Sequence, residues 1–195
     1  MQPSVVHPGA QNLRTCFLDR DGVLNRKMPE GRYVTSWSEF EILPGVVQSI
    51  ARLNRAGIRV IVVSNQRGIA KGLYTSADVD AIHASFQEQL KAQGAHVDHF
   101  YFCPHDKQSC DCRKPLPGMF DQARRDFPEI DPAHSAMIGD SLSDIEFGRR
   151  LGMRTVFVEG DREHRKAGAP DAARLADFRV LSLPAAVDAL LDSRQ

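Results

Sequence analysis

Five short apolar runs restrict what this chain can fold into: TCFL (15–18), IRVIVVS (58–64), VDHFYFC (97–103), SAMIG (135–139) and MRTVFV (153–158). Each is rich in β-branched or aromatic residues and nearly continuous in hydrophobicity, the pattern of strands buried on both faces. Segments of helical period alternate with them. In LPGVVQSIARLNRAG, Pro44 stands where a helix opens, Val47, Ile50, Ala51 and Leu53 form one stripe, and Gly57 is placed as a stop. TSADVDAIHASFQEQLKAQG starts with Thr75 and Asp78 at capping-box spacing, carries Val79, Ile82, Phe86 and Leu90 along one face and closes at Gly94. Further helices are predicted at 117–127 and 142–151, and FRVLSLPAAVDALLD reads as an edge strand followed by a closing helix. Such alternation predicts an α/β fold: a doubly wound, Rossmann-like parallel sheet in three α/β/α layers with right-handed crossovers.

With 195 residues, 42% of them hydrophobic, the chain can bury one substantial core, so one domain over 14–195 is expected behind a flexible tail at 1–13. Residues 22–43 form the one long connection without clear period, and loops of that length inside a domain are usually functional. Lys+Arg and Asp+Glu both number 25, and aromatics make up only 7%, so neither a basic stripe nor interleaved aromatics mark a nucleic-acid binder. Apolar runs such as 60–63 are far short of a membrane span, and the N-terminus has no signal-peptide core. The expectation is a cytoplasmic monomer without membrane or nucleic-acid partners.

In a parallel sheet, ligands bind beyond the carboxyl ends of the strands, and three strand ends here carry polar groups. The first runs into FLDRDG, bringing Asp19 and Asp21 together where Gly22 permits a sharp turn. Asp-x-Asp-Gly is also ordinary turn chemistry, but paired carboxylates repel unless a cation neutralises them, and an all-oxygen site favours Mg²⁺. The second ends in VVSNQRG, offering the Ser64 hydroxyl and several backbone N–H groups to phosphate oxygens, or forming a simple Ser-Asn turn. IGDSLSD then delivers Asp140 to the same edge and Asp144 one helical turn later, where a helix cap is the competing explanation.

Of four cysteines, three crowd into YFCPHDKQSCDCRKP, too few for a disulfide scaffold and suited to a metal site in a reducing compartment. Cys103, His105, Cys110 and Cys112 make a complete tetrahedral set for Zn²⁺ with no position left for water, so a structural zinc loop is expected at 103–112. Cys16, inside the first strand, reads as a small core side chain, and the other six histidines lack ligand spacing. Arg113 and Lys114 follow the last ligand at once; a loop clamped by zinc would present Lys114 to a phosphate.

FLDRDGVLN, VVSNQRG, CRKPLPG and MIGDSLSD, in this order over about residues 14–160, resemble the four motifs of the haloacid dehalogenase superfamily of phosphohydrolases. The Cys/His insertion narrows the resemblance to its capless zinc-containing branch of heptose-bisphosphate and histidinol-phosphate phosphatases. The resemblance implies a domain without a separate cap and a small phosphorylated sugar as substrate, with histidinol phosphate as the alternative. It implies Asp19 as nucleophile and Mg²⁺ ligand, and Asp21 as general acid and base that also ligates Mg²⁺ through its carbonyl. Asp140 would ligate through its carboxylate, and Ser64 and Lys114 would hold the phosphoryl group. Asn25, Arg32, Tyr33, Asn65, Gln66, Arg67 and Arg113 would contact the rest of the substrate. One departure is Ser141, where some heptose-bisphosphate phosphatases carry Lys. A third reading, of another class, is a zinc-loop module that binds nucleic acid or protein without catalysis.

Overall fold

The computed structural model describes residues 13–160 and 168–192; all but the last residue of the expected tail lies outside them. Among the described residues, six strands form one all-parallel sheet in the order β3-β2-β1-β4-β5-β6. They are β1 (Thr15–Leu18), β2 (Arg59–Asn65), β3 (His99–Cys103), β4 (Ser135–Gly139), β5 (Arg154–Val158) and β6 (Phe178–Val180). The connecting helices are α1 (Val46–Arg55), α2 (Ser76–Lys91), α3 (Gly118–Asp126), α4 (Leu142–Leu151) and α5 (Ala169–Leu175), and α6 (Leu183–Asp192) closes the sequence of elements.

Period-two alternation in the central strands divides the core in two. Cys16, Leu18, Val60 and Val62 face a layer that includes Ile50, Leu53, Ile82, Phe86, Val187 and Leu190 of α1, α2 and α6. Phe17, Ile61, Val63 and Met137 face the opposite layer, with Met119 and Phe120 of α3 and Phe147 of α4. Both faces of β1 are therefore sealed, which explains its unbroken apolar sequence. Truncating a side chain such as Phe17 to Ala in this setting costs about 3–5 kcal/mol.

Capping follows the expected chemistry. Thr75 caps α2 and exchanges hydrogen bonds with Asp78 in a reciprocal box. Gly57 and Gly152, both with positive φ, turn the chain out of α1 and α4 directly into β2 and β5. Strand β3 starts two residues later than its apolar run suggests, because Gln87 takes both backbone groups of Val97, and the Asp98 carboxylate accepts the N–H of Val60. Helix α5 has no counterpart in the sequence reading, since seven Ala-rich residues are too short to show a helical stripe. The stretch 22–43 holds one short 3₁₀ turn, Trp37–Glu39, and is pinned at its base by a bridge between Asn25 and Ile42.

Candidate active site and metal-binding loop

Strands β1 and β4 are neighbours, and on either side of them the chain winds in opposite directions, so the crevice beyond their carboxyl ends is the natural binding point. The Asp19 N–H donates to the Ile138 carbonyl at 2.9 Å, which extends the β1–β4 ladder by one residue and fixes Asp19 in register. Asp140 follows the last residue of β4. Gly22 (φ +95°) brings its backbone so near that a Cβ there would lie 2.3 Å from Asp140 Oδ2. Gly139 leaves similar room for Asp144, whose Oδ2 accepts from the Ser141 backbone N–H (3.0 Å) and hydroxyl (2.6 Å). Asp19, Asp140 and Asp144, all buried, each offer a carboxylate oxygen within 4.8 Å of the others.

Two lysines neutralise part of this charge. Lys114 Nζ, buried, donates to Asp19 Oδ1 (2.8 Å) and the Val63 carbonyl (2.6 Å) and pairs with Asp144 Oδ1 (2.6 Å). Burial works against its charge, but Asp144 and Asp19 outweigh it and hold the ammonium above its ordinary pKa. Burial and the nearby Asp144 push Asp19 up to about 6 despite Lys114. The second cation, Lys27, reaches from the long loop to pair with Asp140 Oδ2. Hard oxygen donors with excess negative charge suit a divalent cation such as Mg²⁺. Both oxygens of Asp144 are already engaged by Ser141 and Lys114, so Asp19 and Asp140 are the carboxylates that fit a ligand role.

Asp21 sits in a clamp. Its carboxylate accepts from Arg20 Nη2 (2.9 and 3.0 Å), Asn25 Nδ2 (3.0 Å) and Gln66 Nε2 (3.2 Å). Burial raises its pKa, but the Arg20 guanidinium and these donors outweigh that and keep it below the ordinary carboxylate range. Gln66 is oriented by Tyr74, whose hydroxyl donates to Oε1 at 2.7 Å, leaving Nε2 to serve both Asp21 and Ser64 Oγ (2.7 Å).

Four residues expected to touch substrate, Asn25, Gln66, Asn65 and Arg67, have polar partners within the protein. Asn25 is fully buried and ties Asp21 to the Arg26 carbonyl, because the Asn25–Ile42 bridge folds the loop over it. Gln66 is buried as the link just described. The Asn65 amide is engaged by the backbone of Lys114, donating to its carbonyl (3.2 Å) and accepting its N–H (3.0 Å), because β2 and the chain that leaves the cysteine loop lie side by side. Arg67 pairs with Asp106 and so joins the 66–74 loop to the cysteine loop. Arg32 is exposed; Tyr33 lies with its ring 5.8 Å from that of Tyr74 and under Lys71 Nζ. Arg113 is half-buried, its Nη1 3.5 Å from the His105 carbonyl. Sequence reading missed Arg20, Lys27 and Tyr74; Asp144 was noticed, but its pairing with Lys114 was not.

The cysteine cluster closes on itself. Cys103 Sγ lies 3.5 Å from Cys110 Sγ and 3.1 Å from Cys112 Sγ, and His105 Nδ1 lies 3.2 Å from Cys112 Sγ and 3.7 Å from Cys103 Sγ. None of the cysteines is in a disulfide. A tetrahedral ion with bonds of roughly 2.0–2.3 Å needs its ligand atoms some 3.4–3.8 Å apart, close to what is seen. Soft sulfur donors and one imidazole fit zinc. Behind the loop, a Cβ at Gly118 would lie 2.8 Å from the Cys112 Cα, so loop and α3 pack backbone to backbone. No helix among the described residues is long and apolar enough to cross a membrane.

Residues 111–183 match a family described as HAD-hydrolase-like. Over 136 residues the chain is 43% identical to a D-glycero-alpha-D-manno-heptose-1,7-bisphosphate 7-phosphatase of Mycobacterium bovis, covering 69% of this chain and 71% of the relative. It is 36% identical over 169 residues to a D-glycero-beta-D-manno-heptose-1,7-bisphosphate 7-phosphatase of Bordetella bronchiseptica, covering 85% and 93%. A crystal structure of D,D-heptose 1,7-bisphosphate phosphatase from B. bronchiseptica, complexed with magnesium and phosphate, superimposes with a TM-score of 0.81 at 34% identity, covering 92% of this chain and 99% of that one.

Proposed function

Because this chain belongs to the haloacid dehalogenase-like heptose-bisphosphate phosphatases, we propose that it hydrolyses the 7-phosphate of D-glycero-D-manno-heptose 1,7-bisphosphate through an aspartyl-phosphate at Asp19. The chain is a phosphatase. What most supports the particular mechanism is the convergence of Asp19, Asp140 and Lys114 on one point at the carboxyl ends of β1 and β4.

In the first half-reaction an Asp19 carboxylate oxygen attacks phosphorus, the bond from phosphorus to the sugar oxygen breaks, and the departing alkoxide takes a proton from Asp21. In the second, Asp21 takes a proton from the water that attacks phosphorus, Asp19 is regenerated and inorganic phosphate leaves. The Arg20 clamp keeps Asp21 ionised, as its second role requires; its first requires the protonated carboxyl to turn out of that clamp. Lys114 and Ser64 hold the transferring phosphoryl oxygens, with Asp144 and Asn65 fixing Lys114 from two sides. Mg²⁺, held by the Asp19 and Asp140 carboxylates and the Asp21 carbonyl, supplies positive charge that lowers the cost of bringing an anionic nucleophile to a phosphate. Asp19 above its ordinary pKa fits this need, since a carboxylate that is hard to ionise alone gains most from a cation beside it.

Cys103, His105, Cys110 and Cys112 would hold a zinc ion whose role would be structural, fixing the loop whose next residues are Arg113 and Lys114. Arg113, which follows the cysteine loop, and the exposed Arg32 receive the second phosphate of the substrate. The discriminating experiment is phosphate release from heptose 1,7-bisphosphate against histidinol phosphate. A kcat/KM at least ~10²-fold higher for the heptose is expected, as for a site built to pair a polar group that its competitor lacks. Equal or faster turnover of histidinol phosphate would overturn the substrate assignment.

A further inference from the structure

The pairing of Lys27 with Asp140 has no part in the chemistry just described. Lys27 is not a strand-end residue; it belongs to the long loop after β1, two positions past the pinned Asn25. Its ammonium sits on Asp140 Oδ2, the oxygen against which Gly22 packs without a side chain. Both partners are largely shielded, with side chains 15% and 8% exposed, so this is not a solvated surface pair. Among the described residues, Asp19, Asp140 and Asp144 carry three negative charges and Lys114 returns one, which leaves two for a divalent cation to balance. With Lys27 in place only one remains.

We propose that Lys27 is a resident counter-ion of Asp140 that must withdraw for a divalent cation to bind, so that metal occupancy and the position of the first loop are coupled. The inference rests on the reading that Asp19 and Asp140 hold that cation. An ammonium and a metal ion cannot share one carboxylate oxygen in a small buried site without strong repulsion, and only the lysine is on a tether that can move. Room for the movement exists. Lys27 and Asp140 both line a cavity of about 610 Å³, floored by Val23, Leu43, Val158 and Leu183, into which the four-carbon stem can swing while its ammonium stays at the mouth. In the metal-free protein, Lys27 spares the acidic cluster its self-repulsion; with metal bound, the same lysine is freed toward the face where substrate enters.

Two measurements on the zinc-loaded protein test this. The first is Mn²⁺ affinity, read from the electron paramagnetic resonance signal of free Mn²⁺, in the wild type, Lys27→Met, Lys27→Gln and Asp140→Asn. Removing the competing charge is expected to tighten binding at least about tenfold in both Lys27 variants, and Asp140→Asn to abolish it. The second needs no Lys27 variant: acetylation of wild-type Lys27 by acetic anhydride, followed by mass spectrometry, is expected to rise with Mg²⁺ at the concentration that half-saturates binding. In Asp140→Asn it should be high with or without Mg²⁺. Wild-type protein that binds Mn²⁺ through Asp140, with unchanged or weaker affinity in the Lys27 variants and metal-independent labelling, overturns the counter-ion role alone. Wild-type protein that binds no Mn²⁺ overturns the metal site itself and this inference with it.

Discussion

His83 gives the sharpest energetic prediction. It lies on α2 with its ring stacked on Phe100 at 4.5 Å and edge-on to Phe102, it is 4% exposed, and neither ring nitrogen has a hydrogen-bond partner among the described residues. Burial, reinforced by the Arg20 guanidinium, pushes its pKa down to about 3, with Asp21 only partly opposing. Folded His83 is therefore neutral throughout the working range, whereas in the unfolded chain it titrates near 6.5. The linkage has a definite sign. Above pH 6.5 neither state binds the proton and the residue costs nothing; as pH falls from 6.5 toward 3, the unfolded chain gains a proton that the folded one refuses, and stability is lost. At about 1.36 kcal/mol per pH unit, the loss reaches roughly 2 kcal/mol at pH 5. Urea unfolding at pH 7.5 and 5.0 measures it: His83→Phe, with His83→Leu as a second variant of different volume, should lose about 2 kcal/mol less than the wild type between the two pH values. Every other titrating group is common to the proteins and cancels. Equal losses in wild type and both variants would refute the claim that His83 is held neutral.

Three further outcomes bear on the site. Asn65→Ala deletes two hydrogen bonds to the backbone of Lys114, worth about 1 kcal/mol each, and should lower kcat roughly thirtyfold with the zinc content unchanged. Lys114→Ala should cost at least ~10²- to 10³-fold in kcat. It should also lower stability by about 3–5 kcal/mol, because Asp19 and Asp144 lose their buried counter-charge; steady-state kinetics and urea melts read the two effects separately. Stripping zinc with a strong chelator and restoring only Mg²⁺ should leave the enzyme impaired until zinc is returned, and full recovery at verified zero zinc would contradict the loop-clamping role.

The parts legible in the sequence are those fixed by backbone direction. A buried strand of known register must deliver the residues at its end to the carboxyl edge, so Asp19 and Asp140, just past β1 and β4, and Ser64, near the end of β2, could be placed from apolar runs alone, and the cysteine cluster followed from ligand types at close spacing. What escaped depends on where long side chains travel. Arg20 follows Asp19 directly, yet its guanidinium folds back under the loop onto Asp21 and over the Phe40 ring, a path set by residues 20 positions away. Asn25 and Gln66 look like solvent-facing polar residues beside a motif, but the Asn25–Ile42 bridge and Tyr74 turn them inward. Lys27 meets Asp140 across 113 positions, and no local pattern encodes that. Asp144 carried a signal of capping-box spacing from Ser141, which hid its second role beneath Lys114.

The central claim is covalent catalysis by Asp19, and the most direct measurement is a rapid acid quench during turnover of the bisphosphate, followed by borohydride reduction and peptide mass spectrometry. Reduction converts a phosphoaspartate to homoserine, so the account predicts homoserine at position 19 in the wild type and none in Asp19→Asn. Abundant turnover with Asp19 unmodified at every quench time, or undiminished turnover by Asp19→Asn, would contradict it.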